Sequence, residues 1–222
     1  MKRSLIILLA CLGGAYLSDS TAAIDISPKR IELQGDTAQT ITISNNGDRM
    51  EYVTIMTELL TNPGVPFIDE QRIPLGSLYQ PTLYAAPFKL TLSPQQQKVI
   101  TLRPLKNVDS ETVYRLNIRP VVQFQGTAAE RPAASIAVNL SFSALIRQQP
   151  KQQKRQLDVQ CESEGVLLTA SGNVHVALKA VQIDAKAPAD INIYPGTPQR
   201  LQGRHIILPG YGNCLAGQRT EK

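Results

Sequence analysis

The sequence predicts an all-β protein built from β-sandwiches. Apolar and polar residues alternate in short runs, clusters of turn-forming residues separate these runs, and no stretch of about ten residues follows a helical period. The first three runs from the N-terminus are residues 30–33, 40–43 and 52–55. Gly35 and Asp36 end the first of them, and the turn cluster at residues 45–48 ends the second.

The alternation resumes after a long interruption. Residues 62–87 are rich in proline, so we expect an irregular loop in which the acidic pair Asp69-Glu70 is solvated. Beyond this loop, three further strands are predicted at residues 89–92, 99–102 and 113–118.

The longest strand pattern lies between Ser135 and Arg147. Every second residue from Ile136 to Ile146 is apolar, so the run exceeds the roughly five or six residues of a typical strand. A row of apolar side chains of this length must be covered. The cover is either the core of its own domain or another protein, and the sequence alone does not decide between them.

A change in composition divides the chain into two domains. Residues 148–155 are polar and basic and contain a proline, which predicts a linker. The predicted N-terminal domain covers residues 24–147, and a small C-terminal β-sandwich domain covers residues 156–222. Strands are predicted in the second domain at residues 166–169, 174–183 and 205–208.

The first 23 residues are expected to be an export signal that is not part of the fold. Lys2 and Arg3 form a basic start, residues 5–9 an apolar segment, and residues 20–23 a small-residue exit that predicts cleavage near Ala23. The apolar segment is too short and too interrupted to predict a membrane span.

The three cysteines have different expected roles. Cys11 lies in the leader behind two leucines and an alanine, so a lipoprotein anchored through Cys11 is an alternative to simple cleavage. Cys161 and Cys214 are expected to form a disulfide, since paired thiols are the rule in exported proteins. No Cys-x-x-Cys spacing is present, which argues against redox catalysis.

Composition and motifs exclude several function classes. The formal net charge is +5 with acids and bases interspersed, and tryptophan is absent, so nucleic-acid binding is not expected. Both histidines, His175 and His205, lie in apolar strand patterns and are expected to be structural. No nucleophile, metal-ligand or phosphate-binding motif occurs. We therefore expect no enzyme activity, no cofactor and no small-molecule substrate.

Five segments that span nearly the whole chain beyond the leader share the pattern of one protein family: residues 26–33, 42–45, 113–120, 138–150 and 170–174. Together they resemble the periplasmic chaperones of the chaperone–usher pathway (PapD-like proteins), in particular those of class 5, or alpha-type, fimbriae. The resemblance implies two immunoglobulin-like β-sandwich domains with an interdomain cleft. It also implies a periplasmic protein that binds fimbrial (pilin) subunits and delivers them to an outer-membrane usher.

In this family the last strand of the first domain is lent to a subunit that lacks its own final strand. The run from Ser135 to Arg147 occupies that place. The resemblance therefore implies Ile136, Val138 and Leu140 as the donated side chains, with Phe142 next in line. It also allows the free chain to cover this strand by self-association.

The family holds the C-terminal carboxylate of the subunit with two basic residues in the cleft. Arg30 matches the first of them, but Ser143 stands where the second, a lysine, is expected. Arg147 matches a family arginine that normally joins an interdomain salt bridge, and Glu111 matches one of its acidic partners. The second partner, an aspartate, is missing, because residues 209–212 form a Pro-Gly-Tyr-Gly turn there. We hypothesise that Arg147 is thereby released and forms the carboxylate clamp together with Arg30.

A structural or adhesive β-sandwich subunit of a surface appendage is the alternative. Such a subunit would be a single incomplete domain with an exchangeable N-terminal extension. The predicted chain instead has two units joined by a linker, and strand-like sequence begins almost directly after the predicted leader.

Overall fold

The computed structural model describes residues 23–121 and 141–215. In these two ranges the chain consists of β-strands, turns and two short 3₁₀ turns, Phe67–Asp69 and Leu75–Ser77, without an α-helix. None of the described segments forms a helix that is long and apolar enough to cross a membrane. The all-β fold class is confirmed, whereas the predicted leader with Cys11 lies outside the described residues.

Ten strands of the described residues form the first sandwich. They are β1 Ile24–Ser27, β2 Arg30–Gln34, β3 Gln39–Asn45, β4 Glu51–Leu60, β5 Arg72–Pro74, β6 Leu83–Ala86, β7 Lys89–Leu92, β8 Gln97–Pro104, β9 Thr112–Pro120 and β10 Phe142–Gln149. One sheet has the order β1-β3-β8-β6, and the other has the order β2-β10-β9-β4-β5 with β7 added beside β4. The chain changes sheets between β1 and β2, at Pro28.

The core of this sandwich follows directly from the alternation in the sequence. On β3, Ile41 and Ile43 are buried while Thr40 is exposed, and on β8 the buried residues Ile100 and Leu102 alternate with exposed ones. Side chains of successive strand residues point to opposite faces, so one face of each sheet turns inward and closes a single apolar core.

Strand β10 is paired on both sides over only part of its length. It runs antiparallel to β9 from Phe142 onward, but parallel to β2 only from Leu145 onward. Ala144 and Ile146 point into the core, whereas Leu145 and Arg147 lie on the outer face. Among the described residues, the backbone edge from Phe142 to Ala144 on the β2 side has no strand partner.

The second sandwich contains seven strands within residues 157–215. They are β11 Leu157–Glu162, β12 Gly165–Ala170, β13 Val176–Ile183, β14 Ala189–Ile193, β15 Gln199–Gln202, β16 His205–Leu208 and β17 Gly212–Leu215. The first sheet has the order β11-β12-β15 and the second the order β14-β13-β16-β17. Branched apolar residues from both sheets fill a separate core.

The predicted disulfide between Cys161 and Cys214 is confirmed. It joins β11 to β17, which belong to different sheets, with the two Cα atoms 5.5 Å apart. The bridge therefore ties the two layers of the second sandwich together, where a small core gains most from a cross-link.

Two expectations about the connecting segments need correction. The proline-rich stretch at residues 62–87 is not wholly irregular, because it contains β5, β6 and both 3₁₀ turns. Pro74 is the last residue of the edge strand β5 and Pro87 directly follows β6, positions at which a missing N–H costs little. The predicted linker also begins too early, because β10 extends through Gln148 and Gln149, and both side chains are buried.

Replacing Cys161 and Cys214 together by serine should lower the free energy of unfolding by roughly 4 kcal/mol, because the unfolded chain regains the entropy of an open loop. Urea unfolding followed by hydrogen exchange in residues 157–215 measures this loss. A reducing agent serves as the control: it should destabilise the wild type to the same extent and leave the double variant unchanged. Equal stability of the variant and the oxidised wild type would contradict this role of the bridge.

Candidate functional site

Arg147 lies at the junction of the two sandwiches, on the outer face of β10. Its Nε atom is 3.1 Å from the hydroxyl oxygen of Tyr194, in the second domain, and 3.7 Å from Oε1 of Glu111. Its Nη1 atom is 3.4 Å from Oε1 of Glu32, on the neighbouring strand β2. The guanidinium is therefore held between two carboxylates and a phenol, and only 13% of the side chain is exposed.

Glu111 lies just before β9, and its carboxylate is fully buried between the domains. It accepts a hydrogen bond from the backbone N–H of His175 (2.6 Å) and one from the side-chain amide of Gln149 (3.2 Å). The Nδ1 atom of His175 lies 2.8 Å from the same carboxylate. A buried charge is tolerated only when it is paired and hydrogen-bonded, and this site supplies both.

Tyr194 and His175 are the residues of the second domain that contact Arg147 and Glu111 at the junction. Their rings stack with centroids 5.2 Å apart, and Tyr194 also packs with Leu60 and Val113 of the first domain. Burial raises the pKa of Tyr194 above its usual value, and Glu111 raises it further, while Arg147 opposes this effect. The phenol therefore stays protonated and accepts the hydrogen bond from Arg147.

Asn173 fastens the connection between the domains. Its Nδ2 atom donates to the carbonyl oxygens of Asp109 (3.0 Å) and Gln152 (2.8 Å), and its Oδ1 accepts from the N–H of Lys154 (2.6 Å). The backbone N–H of Glu111 donates to the Asn173 carbonyl (2.8 Å). One side chain thus joins a loop of the first domain, the linker and the second domain.

The missing aspartate of the second domain does not release Arg147, which remains paired with carboxylates of the first domain. Glu32 supplies a second carboxylate from within the first domain, and Tyr194 occupies the side of the second domain. Sequence reasoning missed both residues, because their approach depends on how the sandwiches pack. For Glu32, the sequence offered one signal of this contact: the alternation along β2 places Glu32 on the same strand face as Arg30.

Arg30 lies in a different environment. It is exposed on β2, in register with Leu145, so it points to the same outer face as Arg147. It makes no ion pair with any residue of the described ranges, yet it is near enough to Tyr194 to lower the pKa of that phenol slightly. Its guanidinium, which forms no ion pair within the described ranges, therefore stands beside the interdomain junction.

The predicted donor residues are only partly described. Ile136, Val138 and Leu140 lie outside the described residues. Phe142 is half-buried and packs against the core of its own domain, on the same face as Ala144 and Ile146. Its donation to a partner stays a prediction.

The expectation that Glu70 is solvated is wrong, because its side chain is buried. Only 4% of its side chain is exposed, and it forms ion pairs with Arg115 of β9 and Arg72 of β5. The Arg72 guanidinium also lies 4.2 Å from the centre of the Phe67 ring. This cluster fastens the segment at residues 62–71 onto the outer face of the sheet that contains β10.

No protein-family model matches the chain. Among curated proteins it is similar to an Escherichia coli protein named as a CS1 fimbrial subunit, with 27% identity over 186 residues that cover 78% of this chain and 77% of that protein. It is also similar to an Escherichia coli protein named as a CFA/I fimbrial subunit, with 22% identity over 171 residues, 75% of this chain and 71% of that protein.

Among solved structures the chain is similar to the class 5 fimbriae chaperone CfaA, with a TM-score of 0.66 and 20% identity over 90% of this chain and 99% of that one. The chain has the fold of the periplasmic fimbrial chaperones. A chain of the chaperone–tip adhesin complex of CFA/I fimbriae is similar with a TM-score of 0.65 and 22% identity, over 84% of this chain and 94% of that one. A chain of the Salmonella enterica SafA pilin in complex with the SafB chaperone is similar with a TM-score of 0.57 and 14% identity, over 88% of this chain and 95% of that one. The predicted resemblance is confirmed.

Replacing Glu111 by Gln should loosen the interdomain junction. His175 and Gln149 donate to different oxygens of the carboxylate, and the amide nitrogen that replaces one of these oxygens cannot accept a hydrogen bond. We expect the free energy of unfolding to fall by about 1.5–3 kcal/mol and small-angle X-ray scattering to show a wider range of domain orientations. Glu162→Gln is the control, since it breaks a largely exposed ion pair with Arg200 and should cost less than about 1 kcal/mol. Equal stability and identical scattering of the two variants would contradict this role of Glu111.

Proposed function

We propose that this chain is a periplasmic chaperone that binds fimbrial subunits by lending them a β-strand and delivers them to an outer-membrane usher. The observation that carries this proposal is the β2-side edge of β10 from Phe142 to Ala144, which pairs with no strand of the described residues and is called the open edge below. It belongs to a strand that is otherwise firmly held between β2 and β9.

An open strand edge offers unpaired N–H and C=O groups to an incoming strand. Natural proteins usually block such edges, because they promote aggregation. Where an edge is kept open, strand addition supplies affinity through main-chain hydrogen bonds and specificity through alternate side chains. The sequence just upstream of the open edge carries the alternating apolar residues Ile136, Val138 and Leu140, which suit an apolar groove in a subunit that lacks one strand.

Arg30 is the stronger candidate for anchoring the C-terminal carboxylate of the fimbrial partner. It is exposed, stands beside the junction and makes no ion pair with any described residue, so its donors are available for a bidentate contact. Arg147 is already bound by Glu32, Glu111 and Tyr194. We infer that Arg147 chiefly fixes the domains and adds positive charge behind Arg30.

The mode of action is binding, without catalysis or a cofactor. The leader at residues 1–23 would direct the chain to the periplasm, either cleaved near Ala23 or lipidated at Cys11. The partners are the usher and the fimbrial subunit, with self-association of the free chain as an additional way of covering β10.

A structural subunit of the fimbria is the second candidate, because both curated relatives are named fimbrial subunits. Two sandwiches joined through Asn173 and Glu111 favour the chaperone. A fimbrial subunit would need one incomplete sandwich that accepts a strand. The two candidates differ in whether the chain is present in the finished fimbria, since a subunit becomes part of it and a chaperone is released.

Replacing Arg30 by Ala should strongly reduce the amount of complex recovered when the chain is co-expressed with the fimbrial subunit encoded by a neighbouring gene. A buried charged contact of this kind contributes about 2–5 kcal/mol when one partner is truncated, which predicts a loss of at least about tenfold. The measurement is the yield of subunit co-purified from periplasm, relative to the amount of chaperone.

Arg103→Ala is the matched control, because Arg103 is an exposed strand arginine in the other sheet of the same domain. It should leave the yield unchanged. Undiminished recovery with Arg30→Ala would contradict the role of Arg30. Assembly of the chain itself into purified fimbriae would instead support the structural role and overturn the chaperone.

A further inference from the structure

Arg147 has three polar partners at the junction, and they hold two different sides of its guanidinium. The Glu111 carboxylate is fully buried and Tyr194 is 3% exposed, whereas 52% of the Glu32 side chain is exposed. Glu111 and Tyr194 both lie at Nε of the guanidinium, and Glu32 lies at Nη1. The guanidinium therefore has an inner side that is enclosed by the junction and an outer side that meets solvent at Glu32.

The contact between Glu32 and Arg147 is weak. The Oε1 atom of Glu32 is 3.4 Å from Nη1, which is at the upper limit of a hydrogen bond. A half-exposed ion pair of this kind stabilises a protein little, because water competes for both charges. The Glu32 carboxylate can therefore move into solvent at small cost, and Nη1 is then the group that needs a new partner.

The backbone of Glu32 is fixed, so a change of this contact involves the side chain alone. Leu33 is fully buried and Ile31 packs against the core, both on the inner face of β2. Glu32 itself is the register partner of Arg147 in the parallel pairing of β2 with β10. Rotation about its side-chain bonds is thus sufficient to open the position that its carboxylate occupies. We call this position the carboxylate site.

The carboxylate site lies next to a second guanidinium. Arg30 is exposed two residues before Glu32, on the same face of β2. Arg30 and Arg147 both act on the phenol of Tyr194, whose pKa each of them lowers. A carboxylate that replaced Glu32 would therefore meet both guanidinium groups, which are well suited to bind its two oxygens.

The charges around the carboxylate site balance in the free chain. Arg30 and Arg147 supply two positive charges, and Glu32 and Glu111 supply two negative ones. The ring of His175, beside Glu111, adds a positive charge only when it is protonated.

The neighbouring group of charges on the same sheet balances as well. Arg115 and Arg72 are both paired with Glu70, and Glu58 lies in register with Arg115. A carboxylate that arrives at the undisturbed site therefore meets no net positive charge. Removal of one internal carboxylate changes this, because it leaves one guanidinium charge uncompensated.

We propose that Glu32 is a built-in competitor of the fimbrial subunit: it occupies the carboxylate site of the free chain, and the C-terminal carboxylate of the subunit displaces it to reach Arg30 and Nη1 of Arg147. This inference rests on the proposed function. Nε of Arg147 stays with Glu111 and Tyr194, so the junction is kept while Nη1 exchanges one carboxylate for another. Glu32 thereby limits the affinity for the subunit, which suits a chaperone that must release it.

The test uses two synthetic peptides with the sequence of the C-terminal strand of the subunit encoded by a neighbouring gene, one ending in a carboxylate and the other in an amide. Titration calorimetry measures their dissociation constants for wild type and for Glu32→Gln. The variant should bind the carboxylate peptide about threefold to fivefold more tightly, the range that a half-exposed ion pair contributes. It should bind the amide peptide as wild type does.

Asp190→Asn is the matched control, because it removes the same charge from another half-exposed ion pair. Asp190 is 59% exposed and pairs with Lys179 in the second domain, near the start of β14. This variant should bind both peptides as wild type does. An equal gain with Asp190→Asn would show a general effect of net charge and overturn the inference.

An unchanged affinity of Glu32→Gln for the carboxylate peptide would also overturn it, and a weaker affinity would show that Glu32 orients Arg147 instead of competing for it. In either case the proposed function still stands as long as wild type captures the subunit from periplasm and Arg30→Ala does not. If wild type does not prefer the carboxylate peptide to the amide, the inference and the carboxylate anchor both fail. If wild type captures no subunit, the proposed function fails with them.

Discussion

The buried carboxylate of Glu111 is the interaction on which the arrangement of the two sandwiches depends. It lies at the end of a strand of the first domain and accepts hydrogen bonds from the second domain, at His175, and from the end of β10, at Gln149. Leaving such a carboxylate without partners would cost several kcal/mol. The domains therefore keep one relative orientation, and Arg30 and the open edge of β10 keep a fixed place beside the junction.

Strand β10 combines two requirements that usually conflict. Its inner face, at Ala144 and Ile146, belongs to the core of the first sandwich, whereas its outer face carries Leu145 and Arg147 into the interdomain junction. Within the described part of the chain, its β2-side edge is paired only from Leu145 onward. A strand fixed at one end can present the other end in an extended form, which lowers the entropy cost of adding a strand to it.

The sequence predicted the elements whose pattern is local and missed those that depend on packing between distant segments. Alternation of period two located β3 and β8, and the export context predicted the Cys161–Cys214 bridge. Burial of Glu70 could not be predicted, because its partners Arg72 and Arg115 reach it only after the sheet has formed. The burial of Gln149 was missed for the same reason. Its polar side chain predicted a linker, yet the interdomain junction buries it.

Hydrogen exchange on the free chain and on its complex with the fimbrial subunit tests the central claim most directly. Strand addition predicts that the backbone amides on the open edge, from Phe142 to Ala144, and those of the donor run from Ser135 to Leu140 exchange much more slowly in the complex. The amides of β8, on the other sheet, should exchange equally in both states. Unchanged exchange between Ser135 and Ala144, in a complex that protects other surfaces, would contradict strand donation.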